Sequence, residues 1–189
     1  MKSIHDFSIK SLDGGTINFA DFKGKRIIIV NVASECGYTP QYQLLKEVYN
    51  NFKEKCVIVG MPCNDFGGQE PGTEAEIQAF CEKNYHIPFP MTEKVGILHN
   101  THPIYQFLTK KSENGFQDSE VKWNFQKYLL NTEGILEQVL PSHTNPFDEY
   151  LIDWIMFGMV KWGQRYLSSM NWNTDDADWA DFHGFFSEI

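Results

Sequence analysis

Cys36 sits in the run Ile27-Ile28-Ile29-Val30-Asn31-Val32-Ala33-Ser34-Glu35-Cys36-Gly37-Tyr38-Thr39-Pro40. The β-branched stretch Ile27 to Val32 reads as a strand covered on both faces. Gly37 and Pro40 mark a turn after it. Thr39 suits an N-cap and Pro40 the first helical position. Cys36 is thereby placed at the carboxyl end of a strand and the amino end of a helix. Helix N-terminal N–H groups favour negative charge there. Such surroundings lower a thiol pKa and produce the thiolate, which is the nucleophile. A cysteine at a strand end is more often inert core than reagent. Here the small turn residue beside it is expected to expose it and so favours the reagent.

Three further segments carry polar groups in unusual company. Met61-Pro62-Cys63-Asn64-Asp65-Phe66-Gly67-Gly68-Gln69-Glu70-Pro71-Gly72 is a Gly-rich loop just past a second strand. Paired glycines let a backbone take unusual conformations or approach a ligand closely, although an ordinary connecting loop would have the same composition. Val121-Lys122-Trp123-Asn124-Phe125 sets an indole N–H beside a side-chain amide at a strand start. Taken alone, that is equally the pattern of a half-buried Trp near a turn. Cys81, in Gln78-Ala79-Phe80-Cys81-Glu82-Lys83-Asn84, falls near the end of a helix, where it would pass as a core residue. The six histidines show no metal spacing, and His99-Asn100-Thr101-His102 is the nearest approach.

The elements that must position these groups are legible in the periodicity. Asp13-Gly14-Gly15 between Phe7-Ser8-Ile9 and Thr16-Ile17-Asn18-Phe19 reads as an opening hairpin. Asp21 to Lys25 turns the chain into the strand at 26–33. A helix is expected over about 39–53, with Tyr42, Leu45, Val48, Tyr49 and Phe52 on one face. Cys56 to Met61 forms a second buried strand. Thr73-x-x-Glu76 is a capping box opening a helix to about Asn84, with Ile77 and Phe80 inward. Pro103 to Lys111 makes a short helix. Phe125 to Leu130 and Ile135 to Val139 are strands joined by the turn Asn131-Thr132-Glu133-Gly134, and a last helix starts near Pro146. This order gives an α/β chain with a mixed central β-sheet flanked by helices, the thioredoxin-like arrangement.

A chain of 189 residues with 42% hydrophobic and 22% charged residues has globular composition and length enough for a real core. The net charge of −9 disfavours nucleic acid and anionic membranes as partners. No apolar run reaches membrane-spanning length. The start Met1-Lys2-Ser3-Ile4-His5-Asp6 has no apolar signal core, so a cytoplasmic location is expected. Four cysteines at this length are no disulfide scaffold, and in a reducing compartment free or catalytic thiols are the better expectation.

Together the segments 31–42, 62–72 and Lys122-Trp123-Asn124-Phe125 resemble the glutathione peroxidase family, three long motifs in the right order over roughly residues 4–155. The resemblance implies a thioredoxin-like fold and reduction of hydroperoxides, with no cofactor and no metal. The family's catalytic tetrad falls on Cys36, Gln69, Trp123 and Asn124. Cys36 would attack the peroxide and become a sulfenic acid. The other three would offer neutral donors to the sulfur and the departing oxygen. With no acid in the tetrad, proton delivery would run through water. The segment Phe80 to Tyr85 looks like the resolving-cysteine segment of thioredoxin-dependent members, which makes Cys81 the resolving residue and thioredoxin the reductant. Its helix would have to unwind in part to bring the two sulfurs together. Glutathione as reductant, and a peroxide sensor that relays oxidation to a partner protein, stand as alternatives. Cys63 is expected to be structural and Cys56 to be core.

Asp65 and Glu35 bring acids near the site and are expected to point into solvent. Residues 1–157 are expected to form the peroxidase domain. The long insertion of tetrameric relatives is absent, so the core should be monomeric. Residues 158–189 form an aromatic-rich extension (Trp162, Trp172, Trp179, Phe182, Phe185, Phe186) expected to fold back on the domain. Alternatively it docks a partner or a second copy of the chain.

Overall fold

A computed structural model describes residues 2–158. Everything expected of the extension therefore lies outside the described residues, apart from Gly158. The chain opens with a 3₁₀ turn at Ile4–Asp6, then the hairpin β1 (Ser8–Lys10) and β2 (Thr16–Asn18), which pair antiparallel. A second 3₁₀ turn, Phe19–Phe22, leads into β3 (Arg26–Val32). Helix α1 (Gln41–Phe52) connects β3 to β4 (Cys56–Pro62), and α2 spans Glu74–Tyr85. Two short helices, α3 (Pro103–Thr109) and α4 (Lys111–Asn114), stand where one was expected. The hairpin β5 (Lys127–Leu130) and β6 (Leu136–Leu140) and the helix α5 (Glu149–Phe157) follow. The last helix begins three residues later than expected, because Asp148 rather than Pro146 caps it by accepting the Tyr150 N–H.

The sheet runs β4-β3-β5-β6. β3 and β4 are parallel in the register Ile28↔Ile58, which requires a crossover and receives α1. β5 lies antiparallel on the other side of β3, with Ile28↔Leu129, and β6 forms the edge. Ile27, Ile28, Ile29 and Val30 have no exposed surface, as expected for a strand covered on both faces. This is the thioredoxin-like α/β architecture: a mixed sheet between helices, with β3 central. This edge strand half-buries its middle residues Glu137, Gln138 and Val139. Its Glu137 accepts the Trp154 indole N–H at 3.0 Å, and Arg26 donates to the Ile155 carbonyl at 3.1 Å, so both anchor α5.

Helix α2 differs in character from the rest. Its capping box forms as expected, with Glu76 accepting the Thr73 N–H at 2.8 Å. Of its twelve residues only Ile77 and Cys81 are buried. Phe80, expected inward, is half-buried, and Cys81 takes the inner position. A helix held by two buried side chains belongs to the least stable part of a domain. No helix among the described residues is long and apolar enough to cross a membrane.

Candidate active site

The end of β3 is tied to two distant segments by one polar residue in an otherwise apolar strand. Asn31 is fully buried. Its amide donates to the Trp123 carbonyl at 3.1 Å, its side-chain oxygen accepts the Gln126 N–H at 3.1 Å, and its own carbonyl accepts the Phe125 N–H at 2.6 Å. The segment 123–126 is thus clamped beside β3. Phe125 takes a left-handed backbone (φ +67°), which is costly for a bulky residue and persists only where its surroundings enforce it. Lys127 supplies part of that enforcement: its buried Nζ donates to the Phe125 carbonyl and to Gln41 Oε1, both at 2.8 Å. Burial pulls the Lys127 ammonium down to about 7. Neither Asn31 nor Lys127 was expected to matter. The signal available was a polar residue inside an apolar strand for Asn31 and a charged residue opening one for Lys127.

Past β3 the chain turns. Cys36 is only 7% exposed, so the expected exposure is wrong. The turn folds over the residue rather than presenting it. The Tyr38 N–H is aimed at Cys36 Sγ at 3.4 Å, and the Cys36 N–H donates to Thr39 Oγ1 at 3.0 Å. Thr39 in turn donates to the Ala33 carbonyl at 2.8 Å. Thr39 therefore staples the turn and does not cap α1, whose N-cap position is Pro40 and has no side-chain bond. The first residue of α1 is Gln41, so the N–H that faces the sulfur, that of Tyr38, belongs to the turn and not to the helix proper.

The Gly-rich loop meets this turn directly. The Cys63 N–H donates to the Val32 carbonyl at 3.1 Å and the Glu35 N–H to the Gln69 carbonyl at 3.0 Å. Gly67 and Gly68 both have positive φ (+69° and +64°), and a Cβ on Gly67 would press on the Trp123 ring at 3.2 Å. Glycine is needed there for both reasons. Asn124, fully buried, donates to Gln69 Oε1 at 3.0 Å and to the Phe66 carbonyl at 3.4 Å. Asn124 thus spends its N–H groups on the loop, and the Gln69 amide N–H groups remain available as donors. Trp123 packs its edge on Phe66 with centroids 6.2 Å apart and keeps 38% of its surface exposed.

Asp65 departs from expectation. It does not point into solvent; its Oδ2 accepts the Ile97 and Leu98 N–H groups at 2.6 and 2.8 Å and that of His99 at 3.4 Å. Burial works to raise its pKa, but these bonds outweigh it and hold the carboxyl below its ordinary value. A depressed folded pKa stabilises the fold above the unfolded value and is lost as pH falls through the folded one. Asp65→Asn is expected to cost about 1 kcal/mol at pH 7 in urea unfolding. The difference from the parent should vanish in acid below the carboxylate range, and a loss independent of pH would contradict the assignment. Glu35, by contrast, is exposed as expected.

The four thiols are free. Burial pushes Cys56 and Cys63 up to about 12 each and Cys81 up to about 11, the last partly offset by the Tyr42 hydroxyl beside it. The His102 Nδ1 accepts the Ile104 N–H and caps α3.

The glutathione peroxidase family model matches residues 4–109. The chain belongs to the glutathione peroxidase family. It is 41% identical over 149 residues to the glutathione peroxidase-like peroxiredoxin gpx1 of Schizosaccharomyces pombe, covering 77% of this chain and 93% of that protein. It is 42% identical over 160 residues to the hydroperoxy fatty acid reductase gpx1 of Synechocystis, covering 80% and 93%. Its fold is similar to the crystal structure of Trgpx in apo form, at 30% identity and a TM-score of 0.62, over 82% of this chain and 96% of that one. As a member of this family the chain is a peroxidase of the glutathione peroxidase-like type, and its thioredoxin-like fold is the family's.

Proposed function

We propose that this peroxidase reduces hydroperoxides through Cys36, closes its cycle through Cys81, and is recycled by thioredoxin. The observation that supports this most is the 3.0 Å bond from Asn124 to Gln69, whose carbonyl is held by the residue beside Cys36. It joins the Gly-rich loop, the Trp123-Asn124 turn and the strand-end cysteine into one locus. In the reaction, Cys36 sulfur attacks one peroxide oxygen, the O–O bond breaks, and an alcohol or water departs, leaving a sulfenic acid. The Gln69 amide and Trp123 indole supply neutral donors for the sulfur and the departing oxygen. Asn124 orients Gln69. Gln69→Ala and Asn124→Ala should each slow the peroxide step by about a hundredfold. Reduction of the oxidised enzyme should be little changed in both. Stopped-flow measurement of the two half-reactions checks this, and equal slowing of both halves would contradict it.

The thin anchoring of α2 supports the recycling half. Local unwinding there is the least costly way to bring Cys81 to the sulfenic acid. Cys81 also lines a groove of about 710 Å³ with Tyr49, Gln78, Glu82, His86 and Phe89, an approach for a protein reductant. The relative named a hydroperoxy fatty acid reductase supports organic hydroperoxides as substrates beside hydrogen peroxide. Steady-state turnover of each peroxide with thioredoxin and with glutathione tests the reading. Turnover with thioredoxin is expected. Fast turnover with glutathione alone defeats the choice of reductant, and negligible turnover with both would favour a sensor.

A further inference from the structure

Lys127 opens β5 and has no exposed surface. A lysine is seldom fully buried unless an acid pairs with it. The groups that meet its Nζ are Gln41 Oε1 and the Phe125 carbonyl, both at 2.8 Å, and the Ser142 carbonyl at 3.5 Å. No acid stands among these partners. Val30 and Leu140, opposite it in the sheet, are apolar. An apolar side chain of similar volume would avoid the cost of taking a charge out of water, so the lysine calls for a use. Its two short bonds run to the two halves of the site. Gln41, at the start of α1, donates its N–H to the Tyr38 carbonyl at 2.9 Å, and the Tyr38 N–H is the one aimed at Cys36 Sγ. The Gln41 side-chain amide donates to the Ser142 carbonyl at 2.7 Å, which fixes the acceptor that Lys127 meets. On the other arm, Phe125 holds its left-handed backbone just past the bonds from Asn124 to Gln69 and Phe66.

We propose that Lys127 is a positioning residue for the peroxide step: its ammonium bridges the start of α1 to the Phe125 carbonyl and so sets Trp123, Asn124 and Gln69 against the Cys36 sulfur. The inference rests on the reading of Cys36 as the nucleophile. Lys127 acts through Gln41 and Phe125 and not on the peroxide itself. The ammonium has three N–H groups, one for each acceptor, and its bonds are charge-assisted. The neutral amine has two and makes weaker bonds. Burial pulls Lys127 down to about 7, so the bridge weakens as pH rises through that value. Its partners Gln41, Phe125 and Ser142 do not titrate. Of the titratable neighbours, Tyr42 beside Gln41 and Tyr128 next along β5 are held above their ordinary pKa by burial and stay neutral. His143, beside Ser142, is exposed.

Two reactions of the reduced full chain separate positioning from a general loss of structure. Stopped-flow consumption of one equivalent of hydrogen peroxide reads the thiolate together with its donors. Alkylation of Cys36 by iodoacetamide, followed on its peptide by mass spectrometry, reads the thiolate without them. Lys127→Met should slow the peroxide step about tenfold in mild acid and leave alkylation little changed. Dividing the parent rate by the variant rate at each pH removes any pH dependence that the two share. That ratio should shrink as pH rises through about 7. Gln41→Met cuts one arm of the bridge and leaves the charge in place. It should slow the peroxide step severalfold, and the double variant should be no slower than Lys127→Met alone, because both break one bridge. Equal slowing of peroxide consumption and alkylation overturns the proposal, as does a ratio constant with pH or a double variant whose losses multiply. If Lys127→Met does not fold, Gln41→Met decides: a slowed peroxide step with alkylation intact supports the bridge, and an unchanged peroxide step overturns it. If the parent's peroxide burst survives Cys36→Ser, the reading of Cys36 itself fails, and the role of Lys127 with it.

Discussion

Replacing Cys36 by Ser is expected to lower peroxide turnover by about a thousandfold or more while the fold survives. The substitution is nearly isosteric. A serine hydroxyl could still accept the Tyr38 N–H that now reaches the sulfur, and the staple from Thr39 to the Ala33 carbonyl does not involve the side chain at 36. Thermal unfolding should therefore move little. Chemistry should disappear, because a hydroxyl at neutral pH is a poor nucleophile toward peroxide oxygen. The other thiols offer no substitute: Cys56 and Cys63 are buried and pushed to about 12, and Cys81 to about 11. Coupled turnover with thioredoxin and with a small thiol measures the loss. Retention of even a tenth of the parent rate in both assays would move the nucleophile elsewhere.

Cys81→Ser is expected to split the cycle rather than abolish it. The variant should consume about one equivalent of peroxide per chain and then stall, since the sulfenic acid forms and finds no internal thiol. Adding a small thiol should restart it by reducing the sulfenic acid directly. The stalled species should react with a sulfenic-acid trap, and the parent treated alike should not. Little stability should be lost, because α2 buries only Ile77 and Cys81 and a hydroxyl at 81 can still meet the Tyr42 hydroxyl. Undiminished steady-state turnover with thioredoxin would show that Cys81 resolves nothing.

The scaffold was legible because its signals are local. Ile27 to Val32 is a β-branched run broken only by Asn31, Thr73 and Glu76 stand at capping-box spacing, and Asn131 to Gly134 is a turn by residue type; each formed as read. Reading failed where a side chain's role is set by the detailed geometry of a turn or by partners far along the chain. Cys36 was expected to be exposed from Gly37 alone, but Tyr38 and Thr39 fold over it. Thr39 has an N-cap residue type and spends its hydroxyl on the Ala33 carbonyl instead. Asp65 looked like a solvated acid because its three backbone donors lie more than thirty residues away. Asn31 interrupts an apolar strand and Lys127 opens one, and no periodicity tells that one clamps the Trp123 segment and the other holds Phe125. The three motifs at 31–42, 62–72 and 122–125 did identify the segments that meet. Which amide donates to which carbonyl was a matter of geometry.

Peptide mapping of the full chain after one equivalent of peroxide, under non-reducing conditions, tests the proposed cycle most directly. The expected product is a cross-link between the peptide holding Cys36 and the peptide holding Cys81, at about one per chain, with Cys56 and Cys63 still open to alkylation after denaturation. Thioredoxin should remove the link. A disulfide from Cys36 to Cys63, a link between two chains, or a stable Cys36 oxide with Cys81 still free would contradict it.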